Sequence, residues 1–245
     1  MIRFYYMDVS CGCTNEEVQF FLKILPEEKI ERLNRLRNQE IMHKQMIAGA
    51  FLQCVLSREL RLPVDQIRYQ YGEHGKPRLC DVLMNVLKEG NREDEEHILC
   101  HFNLSHSGDY VVAAVSDELV GIDVERVHNN NLSVAERFFC RQEYEDILAA
   151  GDAYARQIRF TRYWTMKEAY IKRSGEGLKM PLNCFCILRG ENDISRVKGE
   201  NVYFFTHKLS EEYYVSICSI IETDLEELKK PFQIKIDDIY DVFSI

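Results

Sequence analysis

The sequence predicts an α+β protein, and three observations carry that prediction. Apolar residues recur at helical spacing through residues 14–61 and again through 134–173. Each helical block is followed by short alternating or apolar runs of strand character, at 99–125 and at 184–220. A polar Asn129-Asn130-Asn131 stretch separates the halves near the midpoint of the chain and reads as a linker. Helices followed by strands, twice over, suggest two related lobes, although no internal repeat proves the relation.

The elements follow in order. Residues 1–6 form an apolar, aromatic opening strand. Thr14 and Glu17 make a capping-box pattern, with Val18, Phe21, Leu22 and Leu25 behind it at helical spacing. Leu25-Pro26 closes that helix and opens the next, so residues 27–61 read as helix in two pieces. Lys29, Arg32, Arg35 and Lys44 recur there at spacings compatible with a common side. By spacing alone, a solvated face with intrahelical ion pairs is the plainer account of them. Pro63 ends the helical region, 67–71 is a short strand, and 72–77 is a loop. Residues 88–97 form a charged, exposed excursion. Successive strands are expected at 99–105, 110–115 and 119–125, with turns at 107–109 and 116–118. The second half predicts a helix over 134–150, a longer one over 154–173, and strands at 184–188, 202–209 and 213–220. The last twenty-odd residues are acidic and less patterned.

Composition narrows the class. The 245 residues suffice for one large domain or two modest ones. No run approaches the roughly 20 apolar residues of a membrane helix, and the first residues carry no leader pattern, so the expected setting is cytoplasmic, without a membrane partner. A formal charge of −9 argues against nucleic acid, which needs clustered cations, while leaving room for a local basic patch. Nine cysteines, an odd number with no export signal, point to reduced thiols rather than a disulfide framework. The two C-x-C pairs, Cys11/Cys13 and Cys184/Cys186, do not match the usual spacing of zinc ligands.

Three clusters carry chemistry. In GIDVE at 121–125, Asp123 and Glu125 share one face of a strand, about 6.6 Å apart along it, while Ile122 and Val124 face the other way. Paired carboxylates repel unless a cation lies between them. An exposed polar strand face would produce the same pattern. In WTMKEAYIK at 164–172, Trp164, Lys167, Glu168 and Ile171 lie on one stripe, and Glu168 and Lys172 form an i,i+4 pair. The helix then runs into a Gly-rich turn at 174–178, of the sort that closes around a ligand. In FNLSHS at 102–107, His106 stands between two serines at a strand end. A hydrolase triad is excluded there, because no G-x-S-x-G elbow exists and Ser105 and His106 are adjacent rather than facing.

Together, FNLSHS, GIDVE and WTMKEAYIKRSGEGL, with HGKP at 74–77, resemble the signature of the surfactin-synthetase-activating type of 4′-phosphopantetheinyl transferase. The likeness extends to PEEKIERLNRL at 26–36, RFFCRQEY at 137–144 and PLNCF at 181–185. It implies a pseudo-twofold fold of two α+β lobes, each a small mostly antiparallel sheet packed on helices. The expected lobes are 1–126 and 127–245, with coenzyme A in the cleft between them. It implies a Mg²⁺ ion held by Asp123, Glu125 and Glu168, and transfer of phosphopantetheine to a serine of an apo acyl or peptidyl carrier protein. Glu168 would act as base, directly or through water, and Lys172 would contact the pyrophosphate and steady the departing adenosine 3′,5′-bisphosphate. Ser105 and His106 would bind the 3′-phosphorylated nucleotide, Lys76 would grip its adenosine end, and Lys29 and Arg32 would bind phosphate. Trp164 and Lys167 read as packing and positioning residues. Gln45 departs from some relatives, which carry Thr or a similar residue there. Phe138, Phe139 and Tyr144 are the expected carrier-docking residues, or else core. A lobe that replaces a partner subunit predicts a monomer, and a client in peptide, polyketide or fatty-acid synthesis. A magnesium-dependent pyrophosphohydrolase and a non-catalytic coenzyme A-binding module are the rival readings.

Overall fold

The computed structural model describes residues 1–72, 76–90, 100–128, 132–175, 177, 180–190, 194–220 and 228–243. Strand β1 (Ile2–Asp8) opens the chain. Helix α1 (Asn15–Ile24) starts at the predicted capping box: Thr14 accepts from Glu17 N, and Glu17 accepts from Thr14 N. Pro26 separates it from α2 (Glu27–Asn34), and Asn38 caps the long α3 (Gln39–Leu60). A short hairpin, β2 (Tyr69–Tyr71) and β3 (Pro77–Leu79), leads into α4 (Asp81–Gly90). That helix was not expected from the sequence, and it takes in the start of the predicted charged excursion, whose residues 91–97 lie outside the described ones. Strands β4 (His101–Ser107), β5 (Tyr110–Ser116) and β6 (Gly121–Arg126) follow, as predicted.

The expected helix over 134–150 is two helices, α5 (Leu132–Phe138) and α6 (Arg141–Ala149). The break lies at Cys140, which adopts extended backbone as N-cap of α6 while Phe139 turns into the core. Helix α7 (Ala153–Ser174) begins on an Asp152 cap and ends at Gly175, whose φ of +78° is the left-handed geometry that glycine accepts without cost to a Cβ. Strands β7 (Ile187–Arg189), β8 (Ile194–Val197), β9 (Tyr203–Ser210) and β10 (Tyr213–Ser219) complete the second half, β8 being unforeseen. The unpatterned tail holds β11 (Phe232–Gln233) and an amphipathic helix, α8 (Ile236–Phe243). The predicted linker at 129–131 lies outside the described residues.

Two sheets organise these elements, in the orders β11-β1-β5-β4 and β6-β10-β9-β8-β7. Every neighbouring pair is antiparallel except β1 with β11. β5 is apolar on both faces because each face meets a different core. Val111, Ala113 and Val115 join Phe51, Val55 and other α3 residues on one side, whereas Val112 and Ala114 join Ile122, Val124, Val215 and Ile217 of the second sheet. A third core lies where α5, α6 and α7 cover the second sheet. The layers are therefore helices, sheet, sheet, helices. The tail returns to the first sheet: β11 pairs with β1, and Tyr240 and Phe243 of α8 pack on Phe20 of α1. Among the described residues, no helix is long and apolar enough to cross a membrane.

The cysteines differ from expectation at one point. Cys140 and Cys186 form a disulfide with Cα atoms 5.8 Å apart, and the other seven are free. The pairing links two residues far apart in sequence, which no local spacing could reveal.

Candidate functional site

β4 and β6 are edge strands of different sheets, and they lie side by side. No backbone ladder joins them; side chains do. Asn103 Oδ1 accepts from Ile122 N at 2.9 Å, Ser105 Oγ donates to Asp123 Oδ1 at 2.8 Å, and Ser107 Oγ donates to Glu125 Oε2 at 2.9 Å. The constant offset of 18 residues in the last two pairs means that the strands run parallel. Asp123 and Glu125 thus sit at the junction between the sheets, on the shared face that strand alternation predicts.

Helix α7 crosses directly over β6. A Cβ on Gly121 would lie 1.9 Å from the Ala169 carbonyl oxygen and 2.7 Å from the Arg173 nitrogen, so only glycine permits the approach. The approach brings Glu168 and Lys172 to the carboxylates. Lys172 Nζ is 2.6 Å from Asp123 Oδ1 and donates to Ser105 Oγ at 2.7 Å. The expected pairing of Lys172 with Glu168 within the helix is replaced by this reach across to β6, where a nearly buried carboxylate offers the stronger attraction. Burial, together with the charges of Asp123 and Glu125, pushes the Glu168 carboxyl up to about 7. Glu125 is likewise raised, by burial and then by Asp123, against the hydrogen bonds of Ser107 and Trp164.

Above this cluster runs a basic line. Lys29 Nζ donates to Gln45 Oε1 at 3.3 Å, and Gln45 Nε2 meets His106 Nε2 at 2.5 Å. The Lys29 stem packs beside Gly49 of α3, and burial with the nearby Arg32 lowers its ammonium to about 8. His106, exposed at the mouth, is held below the usual imidazole range by partial desolvation and by Lys172, Lys29 and Lys44. Gln45, the doubtful position in the sequence, is thus the bridge between two residues expected to bind phosphate. Lys76 donates to the carbonyls of Lys172 and Arg173 at the end of α7, and burial lowers it to about 8. A cavity of about 310 Å³ opens beside it, lined by Lys76, Arg78, Phe102, Leu119, Arg173 and Gly175 among others.

Two expected positions serve packing. Lys167 and Glu143 are both 0% exposed and 2.9 Å apart, and Lys167 also donates to the carbonyls of Leu182 and Phe185. Phe139 stacks on Phe160 and Trp164 inside the third core, so of the proposed docking trio only Phe138, 44% exposed, lies at the surface, with the Arg137 guanidinium over its ring; Tyr144 is half-buried against the same core. The sequence reading missed Asn103 and Ser107, and it noticed Gln45 only as a departure from relatives. The alternation Asn103-x-Ser105-x-Ser107 is the signal that could have found the first two.

The residues present fit a divalent cation. Asp123 is 3% exposed, and among the described residues its Oδ2 has no hydrogen-bond partner, a costly state for a buried carboxylate oxygen. Two further carboxylates, Glu125 and Glu168, have their proton affinity raised by burial and by the charge of Asp123, which a cation would relieve. Among the described residues, the trio with potential ligand atoms within 4.8 Å of one another is Cys140, Glu143 and Cys186, and those sulfurs are already bonded. Asp123, Glu125 and Glu168 are a wider, all-oxygen set, which suits Mg²⁺ because that ion keeps waters and substrate phosphates in its shell.

Comparison with known proteins identifies the family. Residues 119–218 match the 4′-phosphopantetheinyl transferase superfamily, and residues 12–118 match the 4′-phosphopantetheinyl transferase N-terminal family. The chain is 30% identical over 222 residues to the 4′-phosphopantetheinyl transferase Sfp of Bacillus subtilis strain 168, covering 89% of this chain and 92% of that one. It is 29% identical to the transferase gsp of Aneurinibacillus migulanus over 91% of this chain and 88% of that one. It is 33% identical to the transferase HetI of Nostoc over 66% and 64% of the two. These matches, which together span most of the chain, show that it belongs to the 4′-phosphopantetheinyl transferase superfamily.

Proposed function

We propose that this transferase moves 4′-phosphopantetheine from coenzyme A to a serine of an apo acyl or peptidyl carrier protein, with Mg²⁺ at Asp123, Glu125 and Glu168. The observation that supports it most is the unpartnered, buried Asp123 Oδ2 between two carboxylates of raised proton affinity, with the Lys172 ammonium alongside. When bound, the ion supplies Lewis-acid polarisation of the pyrophosphate and neutralises its charge.

The chain's own groups do the rest. Glu168, with a proton affinity near neutrality, takes the proton of the carrier serine as its oxygen attacks the β-phosphorus. The bond from that phosphorus to the bridging oxygen breaks, and adenosine 3′,5′-bisphosphate leaves with the electron pair. Lys172 turns from Asp123 to the pyrophosphate and stabilises that leaving charge. Lys29, Arg32 and His106 gather the 3′-phosphate, with Gln45 fixing the first and last of them against each other. The adenosine end enters the cavity beside Lys76, whose hydrogen bonds to α7 tie that pocket to the catalytic helix. Ser105 holds Asp123 and Lys172 together at the join. We place the two lobes at 1–126 and 127–245, one copy of the chain making the whole cleft.

The test is intact-mass spectrometry of an apo carrier after incubation with the protein, coenzyme A and Mg²⁺, with Asp123→Ala and EDTA controls. The expected result is one added phosphopantetheine, lost in both controls. Release of adenosine 3′,5′-bisphosphate without a carrier would favour the pyrophosphohydrolase instead. Binding of coenzyme A with no transfer to carriers from fatty-acid or peptide synthesis would favour a binding module.

A further inference from the structure

The two strands that carry the site are joined by side chains alone, and the third rung of that join has no place in the chemistry above. Ser107 belongs to the first sheet and Glu125 to the second, and the 2.9 Å bond between them spans the two. Trp164 of α7 bonds the same carboxylate from the other side. Glu125 is thus held in a fork, by the first sheet and by the catalytic helix.

The position of Ser107 is itself fixed. It is the last residue of β4, and the next residue is Gly108, whose φ of +54° suits glycine. A Cβ there would lie 2.0 Å from the Tyr213 hydroxyl. That hydroxyl accepts from Asp109 N at 3.1 Å and donates to Asp109 Oδ2 at 3.0 Å, and Tyr110 meets the Tyr213 ring edge-on at 4.9 Å. Tyr213 lies on β10, whose next residue, Tyr214, is registered with Glu125. The hairpin that carries Ser107 and the strand that carries Glu125 are therefore both referenced to β10.

We propose that Ser107 is a positioning residue for Glu125: its hydroxyl, set by the Asp109–Tyr213 latch, holds Oε2 and so aims the carboxylate at the ion. The inference rests on the metal reading given above. An oriented carboxylate needs only one oxygen tied, and Ser107 ties Oε2. Loss of such outer partners weakens metal binding by about 10- to 100-fold in well-characterised sites.

The experiment measures Mn²⁺ affinity by electron paramagnetic resonance of the free ion for wild type, Ser107→Ala, Ser107→Thr and Asp123→Ala. Circular dichroism and coenzyme A affinity in EDTA report on the fold. We expect Ser107→Ala to keep its fold and its coenzyme A affinity while Mn²⁺ binding weakens about tenfold, and Ser107→Thr to restore binding by restoring the hydroxyl. Wild-type Mn²⁺ affinity in a folded Ser107→Ala, with Asp123→Ala weakened, would overturn the positioning role alone. So would failure of Ser107→Thr to rescue. If Asp123→Ala leaves Mn²⁺ binding unchanged, the metal reading falls and this inference with it.

Discussion

Lys167→Met separates a structural lysine from its catalytic neighbour, and its cost follows from the contacts. Lys167 Nζ has three partners: Glu143 Oε2 at 2.9 Å, Leu182 O at 2.7 Å and Phe185 O at 3.1 Å. It also stands 4.2 Å from the centre of the Phe185 ring. Methionine fills the same volume and supplies none of these bonds. One buried carbonyl, of Phe185, and one part-buried, of Leu182, lose a donor, at about 1–3 kcal/mol each if no water replaces it. Glu143 keeps Cys140 N and Ile187 N but loses its counter-ion where burial already raises its proton affinity. Protonation of Glu143 and the added apolar burial offset part of this. Removing one partner of a buried pair costs about 3–5 kcal/mol, and we take about 4 as the expected loss.

That is a large share of the roughly 5–15 kcal/mol that holds a protein folded. Urea unfolding followed by circular dichroism at pH 7 reads it directly. The double variant Lys167→Met/Glu143→Leu should recover a good part of the loss, because no buried charge remains unpaired. Under conditions where Lys167→Met is folded, kcat should stay near wild type, since the ammonium faces the 181–185 segment and not the carboxylates. A variant of wild-type stability whose kcat has collapsed would refute the assignment and make Lys167 a participant in the chemistry.

Four further outcomes are expected. Glu168, raised to about 7, is largely protonated below that pH and must lose its proton to ligate. Mg²⁺ affinity should therefore rise between pH 6 and 8, with proton release visible by calorimetry in buffers of different ionisation enthalpy. Gly121→Ala forces a Cβ into the α7 backbone and should cost about 3 kcal/mol or more, seen as a collapse of soluble yield or of the melting temperature. Reduction of the Cys140–Cys186 link, which closes a 46-residue separation, should lower stability by up to about 4 kcal/mol on the chain-entropy estimate. Gln45→Leu should raise the KM for coenzyme A several-fold at unchanged kcat, because it frees Lys29 and His106 from each other without touching the carboxylates.

The carboxylate chemistry was legible because it is local. Asp123 and Glu125 fall on one strand face by alternation alone, and Glu168 and Lys172 fall on one helical stripe. Capping chemistry placed α1 to the residue through Thr14 and Glu17. Where the sequence misled, the deciding contact was distant. Lys172 reads as a partner of Glu168 four residues away until α7 is laid over Gly121, when Asp123 becomes nearer and more buried. Phe139 reads equally as a docking or a core residue until Phe160 and Trp164 stack on it and decide for the core. The break at Cys140 has no glycine or proline to announce it, and it is fixed by a cysteine 46 residues on and by Glu143 bonding both Cys140 N and Ile187 N. The tail looked unpatterned because α8 is only eight residues long, too short for its period to stand out against the acidic residues around it.

The placement of the carboxylates on an edge strand has a physical reason. An edge strand exposes unpaired backbone groups and is normally blunted or covered. Here β4 and β6 cover each other without sharing a ladder, which leaves a seam of side chains rather than a continuous sheet. A ladder would have set the two strands about 4.8 Å apart and spent their polar groups on backbone pairing. The seam instead leaves polar side chains on both strands turned toward one line, with apolar residues behind them closing the core between the sheets. Glu125 in that line and Glu168 on α7 are desolvated enough to raise their proton affinity yet only half-buried, the condition that a base and a metal site share. Asn103 fixes the β6 backbone, Ser105 fixes Asp123, and Ser107 fixes Glu125, so any shift of one sheet along the other disturbs all three at once. The site is therefore a property of the register between the two sheets, and what sets that register, from Tyr213 on β10 to Gly121 under α7, belongs to the active site in energetic terms although it touches no substrate.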